Sequence, residues 1–258
     1  MSTTTAPNSA PTPTPKPKPK AIIFDLLTAI IDSWTAWDRA AATALEEESP
    51  SSPSSSTPNT PAADPATLGR LWRHNYLILT YNAGQYVPYA SLVRDAAAQT
   101  PGLPPRTAEH LLANYTAWLA PWPEAADALR RLKAAGYALG VATNCSKELG
   151  HGAAGLFDGV VEGKKGAASV FDVVVTAEES GWYKPARGAY AAALERLGVS
   201  ADEVLFVAGS AADVPGAHAA GMRVVWHNRI GMEAKEGADG MAEKEARTLT
   251  DVLEGLVL

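Results

Sequence analysis

Five short apolar runs, each a candidate strand, are separated by stretches of helical periodicity, and this alternation constrains the fold more than any other feature. The first run, Lys20-Ala-Ile-Ile-Phe-Asp25, ends in a carboxylate; the others occupy residues 137–143, 171–176, 204–208 and 223–227. Runs this short and continuously apolar read as strands buried on both faces. Between them, residues 123–135 carry a proline near the start and apolar Ala126, Leu129 and Leu132, and stop at Gly136. Residues 186–197 stop at Gly198 in the same way. Proline at a helix start and glycine just past its end are the expected punctuation. Strands alternating with helices through short loops predict an α/β fold, a doubly wound parallel sheet.

Residues 33–121 break that rhythm, with several helical patterns and no convincing strand. Asp64-Pro65 supplies an N-cap and a first-turn proline for an amphipathic helix through ATLGRLWRHNYLILTYN, and residues 88–99 and 107–119 predict two more. An insertion straight after the first strand stands above the carboxyl ends of the strands, where open α/β sheets bind ligands, and would serve as a lid. The expected organisation is a tail at 1–20, a core of 21–32 and 122–258, and a helical cap at 33–121 interrupted by a linker at 49–65.

Composition explains the tail and the linker. Residues 1–20 hold six prolines and three lysines, and residues 49–65 hold six serines and five prolines, too little apolar surface to offset the entropy of ordering. The Pro-Lys alternation reads as a solvated polyproline-II tail. A formal net charge of −6 excludes a general nucleic-acid or membrane-surface binder. One cysteine excludes a disulfide scaffold. The amino terminus has neither the apolar core of a secretory signal nor the arginines of a mitochondrial presequence, which points to the cytoplasm. Cys145 lacks a histidine at any recognisable spacing and reads as a buried thiol. The five histidines show no ligand spacing, with His74 singled out only because it adjoins Arg73. The glycine-lysine piece at 163–166 reads as a surface turn, since it lacks the spacing of a P-loop.

In a parallel sheet the loops after each strand meet at one edge. Here that edge collects Asp25, Thr143 with Asn144, Lys184 in Trp182-Tyr-Lys-Pro185, and Ser210 with Asp213. These four segments resemble, in order, the four motifs of the haloacid dehalogenase superfamily, over roughly residues 20–230, and the insertion resembles its cap. The details are similar to the 2-haloacid dehalogenase branch rather than the phosphatases. A phosphatase of this superfamily has a proton-donating Asp where Phe24-Asp-Leu-Leu-Thr-Ala29 has Leu27. It has a metal-holding Asp where Ala208-Gly-Ser-Ala-Ala-Asp213 has Gly209. Phosphoryl transfer depends on a metal to neutralise charge, whereas halide leaves as a stable anion without protonation.

The resemblance implies Asp25 as nucleophile, Lys184 holding it ionised, Asp213 as general base, and Arg73 of the cap Trp-Arg pair as acceptor of the leaving halide. It implies Thr143 and Asn144 around the substrate carboxylate, with Leu27, Tyr190 and Ser210 as supporting site residues. The implied activity is hydrolysis of short 2-haloacids through an aspartyl ester, with no cofactor. The partner is a small 2-haloacid or similar short carboxylate, with no nucleic acid and no membrane, and a homodimer is left open. The alternatives are a Mg2+-dependent phosphatase or other hydrolase of the superfamily, or a non-catalytic binding protein of that fold. The chain departs from the family pattern at Thr28-Ala29, where Gly-Thr is usual, and at Ala208 and Ser210, where serine and asparagine are usual.

Overall fold

The structure is a computed structural model, and it describes residues 17–48, 64–160 and 169–258. The expected tail at 1–20 and linker at 49–65 lie almost wholly outside the described residues, and the turn at 163–166 entirely so. In chain order the elements are β1 (Ala21–Phe24), β2 (Ile31–Asp32), α1 (Trp34–Glu48), α2 (Pro65–Ala83), α3 (Tyr89–Ala98), α4 (Thr107–Trp118), β3 (Ala120–Pro121), α5 (Ala125–Ala134), β4 (Ala138–Thr143), α6 (Lys147–Ala154), β5 (Val173–Thr176), α7 (Ala177–Ser180), α8 (Arg187–Leu197), β6 (Val204–Ala208), α9 (Asp213–Ala219), β7 (Arg223–His227), β8 (Glu245–Ala246) and α10 (Leu249–Leu253).

Six strands form one parallel sheet in the order β5-β4-β1-β6-β7-β8. All four residues of β1 are buried. Its pleat sends Ile22 and Phe24 into one core layer, against Leu129 and Leu132 of α5 and Leu249 and Leu253 of α10. Ala21 and Ile23 go to the other layer, with Tyr190 and Ala193 of α8 and Val214 and Ala217 of α9. Successive side chains of a strand point to opposite faces, so an all-apolar run is what a strand covered on both faces requires. The chain leaves β1 outward to β4 and β5, then returns to pair β6 with the other side of β1. That reversal places a topological switch point at the carboxyl end of β1, directly before Asp25.

The five expected strands are present, and so are the helix stops: Gly136 has φ +88 and Gly198 φ +66, conformations that glycine adopts without steric cost. Residues 125 and 128, rather than Ala126, give α5 its buried alanines. The expectation differed in three further places. β8 is a two-residue sixth strand with no apolar run to announce it. The helix α1 was not singled out, because its buried face is mostly alanine: Ala36, Ala40, Ala41 and Ala44 beside Trp37. Finally, β3 lies inside the span read as strand-free, where Ala120–Pro121 pairs antiparallel with Ile31–Asp32 and ties together the two stems of the helical insertion.

The four inserted helices add an aromatic section to the same core layer. Trp37 of α1 meets Trp72 of α2 with ring centroids 4.3 Å apart and donates from its indole to the Tyr115 hydroxyl at 2.8 Å. Asp64 caps α2 as expected, accepting from the Thr67 amide at 3.0 Å. The apposition of α1 and α2 is close because residue 69 is glycine: a Cβ there would stand 2.6 Å from Asp38 Oδ1 and 2.7 Å from Asp38 Cα. No helix among the described residues is long and apolar enough to cross a membrane.

Candidate active site

Asp25 follows β1, Thr143 ends β4, Lys184 lies between α7 and α8, and Asp213 opens α9, so four segments of the parallel core deliver polar groups to one edge. The Lys184 ammonium sits between the two carboxylates, donating to Asp25 Oδ1 at 2.9 Å and to Asp213 Oδ2 at 2.8 Å. All three side chains are buried. Burial pulls the Lys184 pKa down, but the charges of Asp213 and Asp25 outweigh it and hold it above its ordinary value. Asp213 moves up, because burial disfavours its charged form more than the neighbouring lysine favours it, and Asp25 pushes the same way. The Tyr190 hydroxyl donates to Asp213 Oδ1 at 2.9 Å. Tyr190 can reach there because α9 has glycine at position 216, where a Cβ would lie 2.5 Å from the phenol oxygen.

Above this trio lies Arg73 from α2, only 3 % exposed. Its guanidinium stacks over Trp34 at 4.1 Å and donates through Nη2 to the Thr28 hydroxyl at 3.1 Å, with the Leu27 carbonyl at 3.5 Å. Nε and Nη1 are buried with no hydrogen-bond partner, and no carboxylate hydrogen-bonds to the group. A buried cation with unused donors is costly unless an anion completes it. The arrangement is a prepared anion site facing a carboxylate.

Asp25, Leu27, Arg73, Thr143, Asn144, Lys184, Ser210 and Asp213 all line one cavity of about 30 Å³. The expected site residues are therefore brought together, with two qualifications. Tyr190 is not part of the wall and acts through Asp213. Asn144 lines the cavity, but its amide is tied to the Lys184 backbone, accepting from N at 2.7 Å and donating to O at 2.8 Å. Its side chain thus positions the lysine rather than standing free for a substrate carboxylate.

Sequence reasoning missed the rest of the wall: Thr28, Tyr76, Leu77, Tyr81, Tyr89 and Tyr115. Thr28, one residue earlier than the family's threonine, has become the hydroxyl partner of the cap arginine. The tyrosines carried a faint signal, since positions 76 and 81 share α2 with Arg73. His74 lines an outer cleft, not this cavity. His227 is buried, with burial lowering its pKa, and its single N–H can donate to one of the two carbonyls beside the ring, those of Ala29 and Arg247. Cys145 is a buried thiol, its pKa pushed up to about 12 by burial, too high for a nucleophile.

A divalent metal does not fit these groups. A Cβ at Gly209 would lie 2.3 Å from the Ala29 amide nitrogen and 2.7 Å from Asp25 Oδ2, so the backbone has closed over the place where a third carboxylate would stand. Among the described residues no group of three His, Cys, Asp or Glu side chains converges. The two carboxylates present already share one ammonium.

Comparison with known proteins shows the family of the chain. A family model for haloacid dehalogenase-like hydrolases matches residues 19–221. The chain belongs to that family. Among relatives, an (S)-2-haloacid dehalogenase of Pseudomonas fluorescens is 32% identical over 174 residues, 63% of this chain and 71% of the relative. Haloacetate dehalogenase H-2 of Moraxella sp. (strain B) is 28% identical over 84% of this chain and 88% of its own. A crystal structure of a dehalogenase with an intermediate complex superposes with a TM-score of 0.71 at 27% identity, covering 93% of this chain and 98% of that one. In this family member the Asp25–Lys184–Asp213 trio and Arg73 line one candidate cavity.

Proposed function

We propose that this family member is a hydrolytic dehalogenase of short 2-haloacids, working through an ester on Asp25. The observation that carries this reading is Arg73, a buried cation with two unpaired donor groups set over an aspartate that Lys184 holds in place. Relatives named for dehalogenation of haloacids at about this identity support it.

In the first step Asp25 attacks C2 of the substrate, the carbon–halogen bond breaks with inversion, and the halide departs toward Arg73. Leu27 near the nucleophile has no proton to give, and a halide needs none. In the second step water adds at the ester carbonyl and gives a proton to Asp213, which passes it to the departing alkoxide, so that the 2-hydroxy acid leaves and Asp25 returns to its carboxylate form with release of one proton. The raised pKa of Asp213 suits it to accept that proton. Lys184 keeps the two carboxylates from repelling each other out of register. Thr143 and Ser210 line the cavity where the substrate carboxylate would lie. On this reading residues 33–121 are the cap and 21–32 with 122–258 the core, no metal takes part, the partner is a small anion, and the enzyme works in the cytoplasm.

Asp25→Asn tests the assignment. It should abolish halide release from 2-chloropropionate, whereas wild-type-like turnover would remove Asp25 as nucleophile. A chelator should leave the wild-type rate unchanged, and loss of activity restored by Mg2+ would overturn the metal-free chemistry.

A further inference from the structure

The reaction cavity is narrow and its reacting groups are little exposed, Asp25 by 6 % and Arg73 by 3 %. Two larger clefts border it, and they differ in charge. One, of about 600 Å³, lies between the cap and α6 and shares the wall formed by Tyr89 and Tyr115; its only charged lining residues are Glu148 and Glu178. The other, of about 410 Å³, lies between α2 and the segment after β7 and shares the wall formed by Leu77 and Tyr81. Arg70 and Lys235 line it with one acid, Glu233, so that its lining is net positive where that of the first cleft is negative, and His74 lies beside them. A cleft lined by one sign of charge raises the local concentration of the opposite ion and speeds its entry.

The two walls also differ in what holds them. Tyr115 accepts from the Trp37 indole at 2.8 Å, and Tyr89, whose hydroxyl has no partner, is packed 5.6 Å from Tyr76 and stacked on Tyr115. Both rings belong to the main apolar core. Tyr81 and Leu77 are only half-buried. The Tyr81 hydroxyl has the Ser210 hydroxyl beside it, and the Lys235 ammonium stands 5.3 Å from its ring. Swinging Tyr81 outward gives up only that one contact with Ser210 and brings its hydroxyl to water.

We propose that the basic cleft between α2 and the segment after β7 is the route by which the substrate anion enters and the halide leaves, with Tyr81 as its gate and Arg70 and Lys235 as its charge. This rests on the dehalogenase reading for the substrate, although the route itself concerns any small anion bound at Arg73.

Two exposed alanines allow each cleft to be filled separately: Ala234 lines the basic one and Ala113 the acidic one. Ala234→Phe should lower kcat/KM for 2-chloropropionate by about tenfold, while Ala113→Phe leaves it unchanged. Lys235→Glu should lower kcat/KM at low salt and remove the decline that added salt causes in the wild type. Stopped-flow quenching of tryptophan fluorescence by iodide gives a second readout, independent of turnover, in which Ala234→Phe alone slows uptake. Slower uptake in Ala113→Phe, or no slowing in either variant, overturns the route. If the wild type takes up iodide by the basic cleft yet releases no halide from any 2-haloacid, the route stands and the reaction assigned above falls.

Discussion

Replacing Arg73 by methionine separates catalysis from folding. Methionine keeps most of the side-chain length and removes the charge. In the wild type a departing halide would lie in contact with the guanidinium, about 4 Å between charge centres, in a site of intermediate polarity. At an effective dielectric constant of about 20 that contact is worth about 4 kcal/mol. Since about 1.4 kcal/mol changes a rate tenfold, kcat for 2-chloropropionate should fall about a thousandfold. Stability should respond quite differently. The substitution loses stacking on Trp34, about 2 kcal/mol when desolvated, and a charged hydrogen bond to Thr28 of about 1.5–3 kcal/mol. It also removes two buried unpaired donor groups, Nε and Nη1, each costing about 1–3 kcal/mol. These contributions roughly cancel, so the Tm should move by only a few degrees. Halide release measured on the chloro and bromo substrates beside a thermal melt checks both halves. Turnover within tenfold of wild type in a folded Arg73→Met protein would refute the halide assignment. A collapse in Tm would refute the claim that the cation is uncompensated.

Asp213 must be ionised to accept a proton, and its pKa is raised in the folded protein, so the acid limb of the kcat–pH profile should lie above the ordinary carboxyl value of 3.8. An acid limb at or below that value would contradict the role. Asp38, between α1 and α2, is raised to about 6, chiefly by burial. Because a raised folded pKa favours the protonated native state, its contribution to stability is present below pH 3.8 and lost as pH rises through about 6. Asp38→Asn should therefore raise the Tm at pH 8 and leave it unchanged at pH 3, as thermal melts at the two pH values would show. Gly209→Ala should cost about 1–3 kcal/mol, because its Cβ meets the Ala29 backbone rather than a side chain that can move. Denaturant titration measures that loss, and a variant as stable as wild type would mean that the loop after β6 has slack.

Much of the core was legible in the sequence because its signals are local. A strand covered on both faces must be apolar at every position, which made 204–208 and 223–227 readable to the residue. Asp25 was readable because it directly follows β1, whereas Lys184, in the loop between α7 and α8, and Asp213, the first residue of α9, were read from the motifs they resemble. The helix α1 was harder to see, since alanine satisfies a close helix–helix contact without the large apolar residues that mark periodicity. β8 was invisible because a two-residue edge strand is selected by its neighbour's backbone and not by its own side chains.

Local pattern along the chain suffices for the alternation that makes a parallel sheet, for the order in which four polar groups reach its edge, and for the absence of carboxylates at Leu27 and Gly209. Which groups complete one another depends on packing. The cap lowers Arg73 onto Thr28 across 45 residues of chain, and the fold seats the Lys184 ammonium between Asp25, 159 residues away, and Asp213. It also turned Asn144 from a candidate substrate ligand into a brace for the lysine, through hydrogen bonds to a backbone 40 residues distant. The difference is one of range. Periodicity and capping act within a few turns of chain, whereas the pairing of a buried charge depends on what the packed core brings within about 3 Å of it.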